Sequence, residues 1–365
     1  MNAANRLLII GNGFDLAHGI KSSFKNFIED YFCNVINTFY TENSYSDELF
    51  EIKFKHIYNV FSPTPELIKP DKAFETIKQY VNEQRFLTKF HSLLLNNIFN
   101  KICELNWVDL EIEYFNVLTA TKHGYKNSNQ NQAIQKVNSQ LDFLKVKLIE
   151  YLTTQEKQFN NSSIKNLLAH SFREDIKKHE IVTVNLKEDK SPDNLYFLNF
   201  NYTKTFEDYF NICKRHIPSK FNYIHGSLSG EYGKPIFGFG DEFDKKYLEF
   251  EDEKNNELFK HIKSFEYLQT KNFYDLTRFV ESDDFQVYIY GHSCGISDRT
   301  MLNQIFEHEN CKSIKIFYYQ MSEEINDFTD KTYEISRLFK DKTMLRKKLV
   351  PLELSRPMPQ PKMNE

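Results

Sequence analysis

No stretch of this 365-residue chain approaches the ~20 consecutive apolar residues that a membrane-spanning helix requires. The amino terminus lacks the basic, apolar and small-residue succession of a secretory signal. The five cysteines, Cys33, Cys103, Cys213, Cys294 and Cys311, are scattered, and no Cys-x-x-Cys pair occurs. Such a set offers neither a disulfide framework nor a zinc site, and it fits a reducing cytoplasm. Excess positive charge is missing too: 47 Lys and Arg face 51 Asp and Glu, for a formal net charge of -4. A surface-wide nucleic-acid footprint needs a basic face, so nucleic acid is not the expected partner, although local basic clusters remain open. Nor is there an internal repeat. What is left is a cytoplasmic globular protein without a membrane partner, long enough for one large domain with an insertion or for two domains.

What the chain does have is a recurring arrangement of short apolar runs, each ending in small, polar or ionisable residues. Leu7-Leu8-Ile9-Ile10 runs into Gly11-Asn12-Gly13-Phe14-Asp15, and Tyr196-Phe197-Leu198 into Asn199-Phe200-Asn201. Tyr223-Ile224 leads to His225-Gly226, and Val287-Tyr288-Ile289-Tyr290 to Gly291-His292-Ser293. Strands of an open parallel sheet end along one edge, and ligands bind in the crevice just outside it. Four clusters far apart in sequence are therefore expected to meet at one pocket.

Between these runs the spacing is helical. Ser22 or Ser23 can cap a helix carrying Phe24, Phe27, Ile28, Phe32, Val35 and Phe39. Residues 42–70 read as irregular, broken by Pro63, Pro65 and Pro70, and 73–151 as helical, with Phe86, Phe90, Leu93, Leu94, Ile98 and Ile102 in one stripe and a polar gap at 126–132. Later strands are expected at 195–199, 222–225, 236–238, 286–290 and 313–318, with helices at 204–216, 249–280 and 298–307 between most of them. Strands alternating with helices predict an α/β fold with a mostly parallel, Rossmann-like sheet flanked by helices. Residues 1–40 and 181–340 would form it, with 41–180 a large, mainly helical insertion. Residues 341–365, basic and containing four prolines, read as a solvated, weakly ordered tail or as a contact arm.

Each cluster admits a chemical and a structural reading. Gly11 and Gly13, between strand and helix, let backbone approach a phosphate or simply make a tight turn; the third fingerprint glycine is replaced by Leu16. Asp15 can hold a ribose hydroxyl or cap the helix. Asn199 and Asn201 share one strand face, and Asn201 can donate and accept at once toward an amide or ribose, or it or Thr203 can cap the next helix. His225 can take a proton near neutral pH or be structural. The loop 238–242, with Asp241, is a pocket wall or a polar turn. Gly291-His292-Ser293-Cys294-Gly295 matches the nucleophile elbow of serine hydrolases, but His308 is the sole histidine after Ser293; otherwise Gly291 and Ser293 shape a turn under the ligand and Asp298 caps the next helix. Glu111, near the only tryptophan, is a carboxylate that can reach a pocket or sit in solvent. A magnesium nuclease using Asp15, Glu111, Asp241 and Asp298 is a further alternative, yet these carboxylates lack compact ligand spacing, and no metal is expected.

Taken together, LLIIGNGFDLAHG, NWVDLE, FNYT followed by IHG, and YGHSCGISD resemble the bacteriophage abortive-infection AbiH family over residues 7 to about 302. The resemblance implies a bacterial anti-phage role in which infected cells stop growing. A homo-oligomer or a phage-derived trigger stands as a candidate partner beside the nucleotide. The order of glycine loop, strand-end Asn, His-Gly and late glycine-serine near an Asp also looks like sirtuin-type NAD-binding domains and related defence NAD hydrolases. That likeness implies NAD as ligand or substrate. Gly11, Asn12, Gly13, Asp15, Asn199, Gly291, Ser293 and Asp298 would lie along the cofactor, Asn201 beside the nicotinamide ribose, and His225 would be the catalytic base. Asn12 and Asp15 depart from the small residue and serine of such loops, and Thr203 from an aspartate. The missing zinc cysteines speak against a protein deacylase. A non-catalytic nucleotide-sensing or partner-binding module is the main alternative to an NAD glycohydrolase.

Overall fold

The computed structural model describes residues 4–55, 66–101, 107–124, 128–158 and 165–360. Pro63, Pro65, Ile102, Cys103, Asn106, Lys126 and Lys362 lie outside the described residues. Nine strands occur among the rest: β1 (Asn5–Ile10), β2 (Ser44–Ser46), β3 (Phe50–Phe54), β4 (Phe86–Phe90), β5 (Asn194–Asn199), β6 (Ser219–Tyr223), β7 (Phe285–Tyr290), β8 (Cys311–Tyr318) and β9 (Arg356–Pro357). The chain divides into two compact units, one of Met1–Ile20, Gln155–Leu248 and Ile262–Glu365, the other of Lys21–Thr154 and Glu249–His261.

The first unit is built on a parallel six-stranded sheet of order β6-β5-β1-β7-β8-β9, flanked by helices. The α/β, Rossmann-like expectation holds. β1 and β7 are buried along their whole length, which is why they read as unbroken apolar runs. Leu7, Ile9, Leu198, Ile224 and Ile289 pack on one face of the sheet. Leu8, Ile10, Phe14, Phe197 and Tyr290 pack on the other, under the helix Lys165–Arg173, which supplies Leu168, Ala169 and Phe172. Register fixes the site: Ile10 lies opposite both Asn199 and Tyr290, and Asn199 opposite Tyr223. Four strands thus end at one level. From β1 the chain order runs one way to β5 and β6 and then the other way to β7, so the switch point lies at the end of β1.

Several elements differ from expectation. Residues 236–238 form no strand; the neighbouring contact is a single bridge from Phe239 to Ile262, in a segment bracketed by Pro235, Gly238 and Gly240. The single helix expected over 249–280 is instead Lys245–Glu251, a 3₁₀ turn Asn256–Phe259, Lys263–Tyr267 and Asn272–Ser282. Asn255 and Thr270 break the run, their side chains accepting from the N–H of Glu257 and Asn272. Residues 341–360 are folded rather than a loose tail. Asp341 caps the helix Lys342–Lys348, β9 extends the sheet alongside β8, and Met358 is buried with its N–H on the Tyr318 carbonyl.

The second unit contains the helix Phe24–Glu42, capped by Ser23, and a three-stranded antiparallel sheet β2-β3-β4. β4 was expected to be helical. Phe86 and Phe90 are four residues apart, a spacing that fits either period, but FLTKF alternates and pairs with FEIKF of β3. Cross-strand rings pack Phe50 against Phe90 at 4.9 Å and Phe54 against Phe86 at 5.6 Å. Phe32 and Phe39 of the long helix lie against the same rings, so residues 21–40 belong to this unit by packing. No helix among the described residues is long and apolar enough to cross a membrane.

Candidate functional site

The turn after β1 lies directly against the turn after β7. A Cβ on Gly11 would stand 2.4 Å from His292 Cα, one on Gly13 2.8 Å from Gly291 Cα, and one on Gly291 2.1 Å from the Phe14 nitrogen. Gly291 is also at φ +68, where side chains are disfavoured. The N–H groups of Gly11 and Gly13 bond the carbonyls of Tyr290 (2.9 Å) and Gly291 (2.7 Å), and that of Phe14 bonds Gly11 (2.9 Å). These glycines therefore seat two loops on one another, and the three amides are engaged within the protein rather than offered to a phosphate. Asn12 is half-buried beside them.

Two side-chain clusters rise from this base. The first surrounds Asp15. Thr203 donates to Asp15 Oδ2 at 2.6 Å, and Thr205 donates to the Thr203 hydroxyl at 3.3 Å. Asp15 Oδ1 is buried without a hydrogen-bond partner among the described residues. Burial pushes this carboxyl up to about 6, against the lowering effect of Thr203, Thr205 and Asn201. Asn201 ties β5 to the β1 turn through Nδ2 to the Gly11 carbonyl, 3.0 Å. Asn199 folds the FNYT turn on itself, its Nδ2 donating to the carbonyls of Asn201 and Thr203. Neither Asn201 nor Thr203 caps the following helix, which starts at Glu207 without a side-chain cap.

The second cluster gathers on Asp298. Gly226, at φ +76, turns the chain sharply after β6 and leaves His225 facing inward. His225 Nε2 lies 2.9 Å from the Tyr267 hydroxyl and 3.3 Å from Asp298 Oδ1. Lys263 Nζ is 2.8 Å from the same oxygen, and His292 Nε2 is 3.8 Å from Oδ2. Asp298 heads the helix Arg299–Glu307 but makes no capping bond; its carboxylate serves the cluster instead. Burial opposes its ionisation, yet the Lys263 ammonium and the His225 ring outweigh that and hold the carboxyl well below the ordinary range. His292 goes the other way: burial, aided by nearby Lys331 and Lys263, pulls it down to about 3 against the pull of Asp298, so it stays neutral. Its Nδ1 accepts the Cys294 N–H at 2.9 Å, with Cys294 itself at φ 57. Phe200 links the clusters, packing on His225 at 5.1 Å and His292 at 4.1 Å between ring centroids while its neighbours Asn199 and Asn201 serve the Asp15 side.

The four strand-end segments thus share one sheet edge, but Asn201 and His225 belong to different clusters. Ser293 is exposed, beyond the end of β7. His308 pairs with Glu281 at 3.4 Å and takes the Asn310 N–H, just before β8 begins, so the elbow serine and its only downstream histidine belong to opposite ends of the sheet. Asp241 bonds Arg299 and the Phe243 N–H. Glu111 lies buried in the second unit. Among the described residues no group of three or more His, Cys, Asp or Glu is placed to hold a metal ion. Lys263 and Tyr267 were not foreseen. They lie four apart on a short helix, and nothing in a single sequence separates this lysine from a solvated one.

Fold and site together define a Rossmann-like α/β protein with a buried histidine–carboxylate centre at its switch point. The chain matches the bacteriophage abortive infection AbiH family over residues 7–320. It belongs to that family, which places it in phage abortive-infection defence. No curated protein matches it at a significant level.

Proposed function

We propose that this chain is an abortive-infection effector that binds a nucleotide, with NAD the first candidate, and hydrolyses its nicotinamide–ribose bond. The observation that carries this is the pairing of His225 with Asp298, 3.3 Å apart, at the sheet edge where α/β proteins bind ligands. In that reaction the C1′–nitrogen bond breaks, its electron pair leaves with nicotinamide, and water adds to an oxocarbenium-like ribose. His225 accepts the proton of that water while Asp298 stabilises the imidazolium. Asn201 has its amide nitrogen engaged with Gly11, so its Oδ1, which carries no hydrogen bond among the described residues, is the atom that accepts from a ribose hydroxyl or the water. The pyrophosphate is not assigned to the amides of Gly11, Gly13 and Phe14, which are already bonded.

Purified protein incubated with NAD, with and without lysate of phage-infected cells, should release nicotinamide, measured by chromatography. His225→Ala should slow release by about 10²–10⁴-fold, the usual contribution of a general base. Intact NAD together with no calorimetric binding would refute the proposal. The occupied glycine-loop amides and the buried Asp15 favour one second reading, a nucleotide-sensing module without turnover. Binding of NAD with no nicotinamide released under either condition would select it.

A further inference from the structure

We infer that Lys263 is a positioning residue for His225, acting through Asp298, and that Nδ1 is the nitrogen of His225 that handles the substrate proton. This rests on His225 being the base of the proposed reaction, and it adds which atom works and what keeps it working.

The geometry begins in the backbone. Lys263 N–H bonds the Phe239 carbonyl at 2.9 Å, beside the Phe239–Ile262 bridge. A Cβ on Gly240 would stand 2.4 Å from the Ser297 carbonyl oxygen and 3.2 Å from Lys263 Cδ. Glycine there gives the lysine stem its passage. The ammonium arrives with 1% of the residue exposed, a depth at which a charge needs partners, and Asp298 Oδ1 at 2.8 Å is one of them.

The same oxygen faces Nε2 of His225. A carboxylate only accepts, so the ring proton belongs on Nε2, with the Tyr267 hydroxyl as its second neighbour. Nδ1 carries no hydrogen bond among the described residues, and its lone pair is the one left for a proton. His292, the other imidazole at this carboxylate, takes the Cys294 N–H on Nδ1 and presents Nε2 to Asp298. Lys331 binds the His292 carbonyl at 3.0 Å. Among the described residues, Asp298 faces His225 with Lys263 on the same oxygen, and Lys331 lies behind His292.

The ammonium has a specific consequence. An isolated buried carboxylate beside an imidazole favours the imidazolium, which is no base. With Lys263 on the same oxygen, part of that carboxylate's charge is already matched, which weakens its hold on an imidazolium. Asp298 orients the ring; Lys263 keeps it from being trapped.

Nitrogen-edited NMR of histidine-labelled full-length protein reads this without substrate. In the wild type, Nδ1 of His225 should be the unprotonated nitrogen. Lys263→Met should raise the titration midpoint of His225 by about 1–3 units, as loss of a close like charge does, and move the acidic limb of any NAD-cleavage profile the same way. Asp298→Asn should invert the tautomer, because the amide can donate to Nε2. Should Lys263→Met fail to fold around a lone carboxylate, the neutral double variant Lys263→Met/Asp298→Asn, compared with Asp298→Asn alone, must show the same upward shift. A wild-type proton on Nδ1, or midpoints unmoved by loss of Lys263, overturns the inference. NAD left intact while the midpoint moves refutes the proposed reaction and leaves this role standing.

Discussion

Asp15 and Asp298 are both buried carboxylates at one sheet edge, and their surroundings push them in opposite directions. Asp298 has an ammonium on one oxygen; Asp15 has only neutral donors, with Oδ1 unmatched. Asp15 is raised from 3.8 to about 6, so the fold binds its proton more tightly than the unfolded chain does. Its contribution is therefore favourable at low pH and declines as pH rises from about 4 to 6, a difference of about 3 kcal/mol. Asp15→Asn should remove that slope: urea denaturation should find the variant gaining on wild type at pH 7 relative to pH 4 by this order. His292 has the opposite sign. Its folded value of about 3 against 6.5 unfolded means stability is complete above the unfolded value and falls as pH drops toward 3. His292→Gln should flatten the acid side of the same curve, and an unchanged acid limb would show that the ring is not held neutral in the fold.

At the level of elements, two turns with left-handed glycines make contrasting predictions. Gly19, at φ +79, has open space where a Cβ would go, whereas the Gly291 position would drive a Cβ onto the Phe14 nitrogen. Gly19→Ala should cost about 1–2 kcal/mol, the strain of the backbone region alone. Gly291→Ala should cost clearly more, because the β1 turn must also move; equal losses by denaturation would mean that the two loops are not seated as described. The same contrast explains what was legible beforehand. Strands buried on both faces read as plain apolar runs stopped by Gly or Asn, so β1, β5 and β7 stand out, and with them the level of the site. β4 hides because Phe86 and Phe90 satisfy a helical stripe as well as a strand pair, and only the partner β3, over thirty residues earlier, decides between them. The carboxyl-terminal segment misleads by composition: lysines and prolines suggest solvent, yet Lys348 is buried with its Nζ on the carbonyls of Phe306 and His308. Lys263 was illegible for the same reason, since tertiary packing and not spacing takes a lysine inside.

For the whole molecule, membership of an abortive-infection family makes the infected cell the decisive assay. Phage defence should fail when the Asp298 cluster is disabled, and the choice of variants separates the readings that the sequence left open. His225→Ala and Asp298→Asn remove the base and its orienting carboxylate. Ser293→Ala removes the elbow hydroxyl, which is exposed and has its only downstream histidine at the other end of the sheet. If the cluster is the working centre, cells carrying Ser293→Ala should resist phage as the wild type does, while His225→Ala and Asp298→Asn should lose protection in cultures where immunoblotting shows each variant accumulating as soluble protein. Metabolite profiling of the same cultures adds the substrate: NAD should fall after infection in wild type and Ser293→Ala, and hold steady in the other two. Protection lost with Ser293→Ala alone would restore the hydrolase reading and displace His225. Protection lost with His225→Ala while NAD holds steady in every culture, wild type included, would keep the centre but assign it another nucleotide.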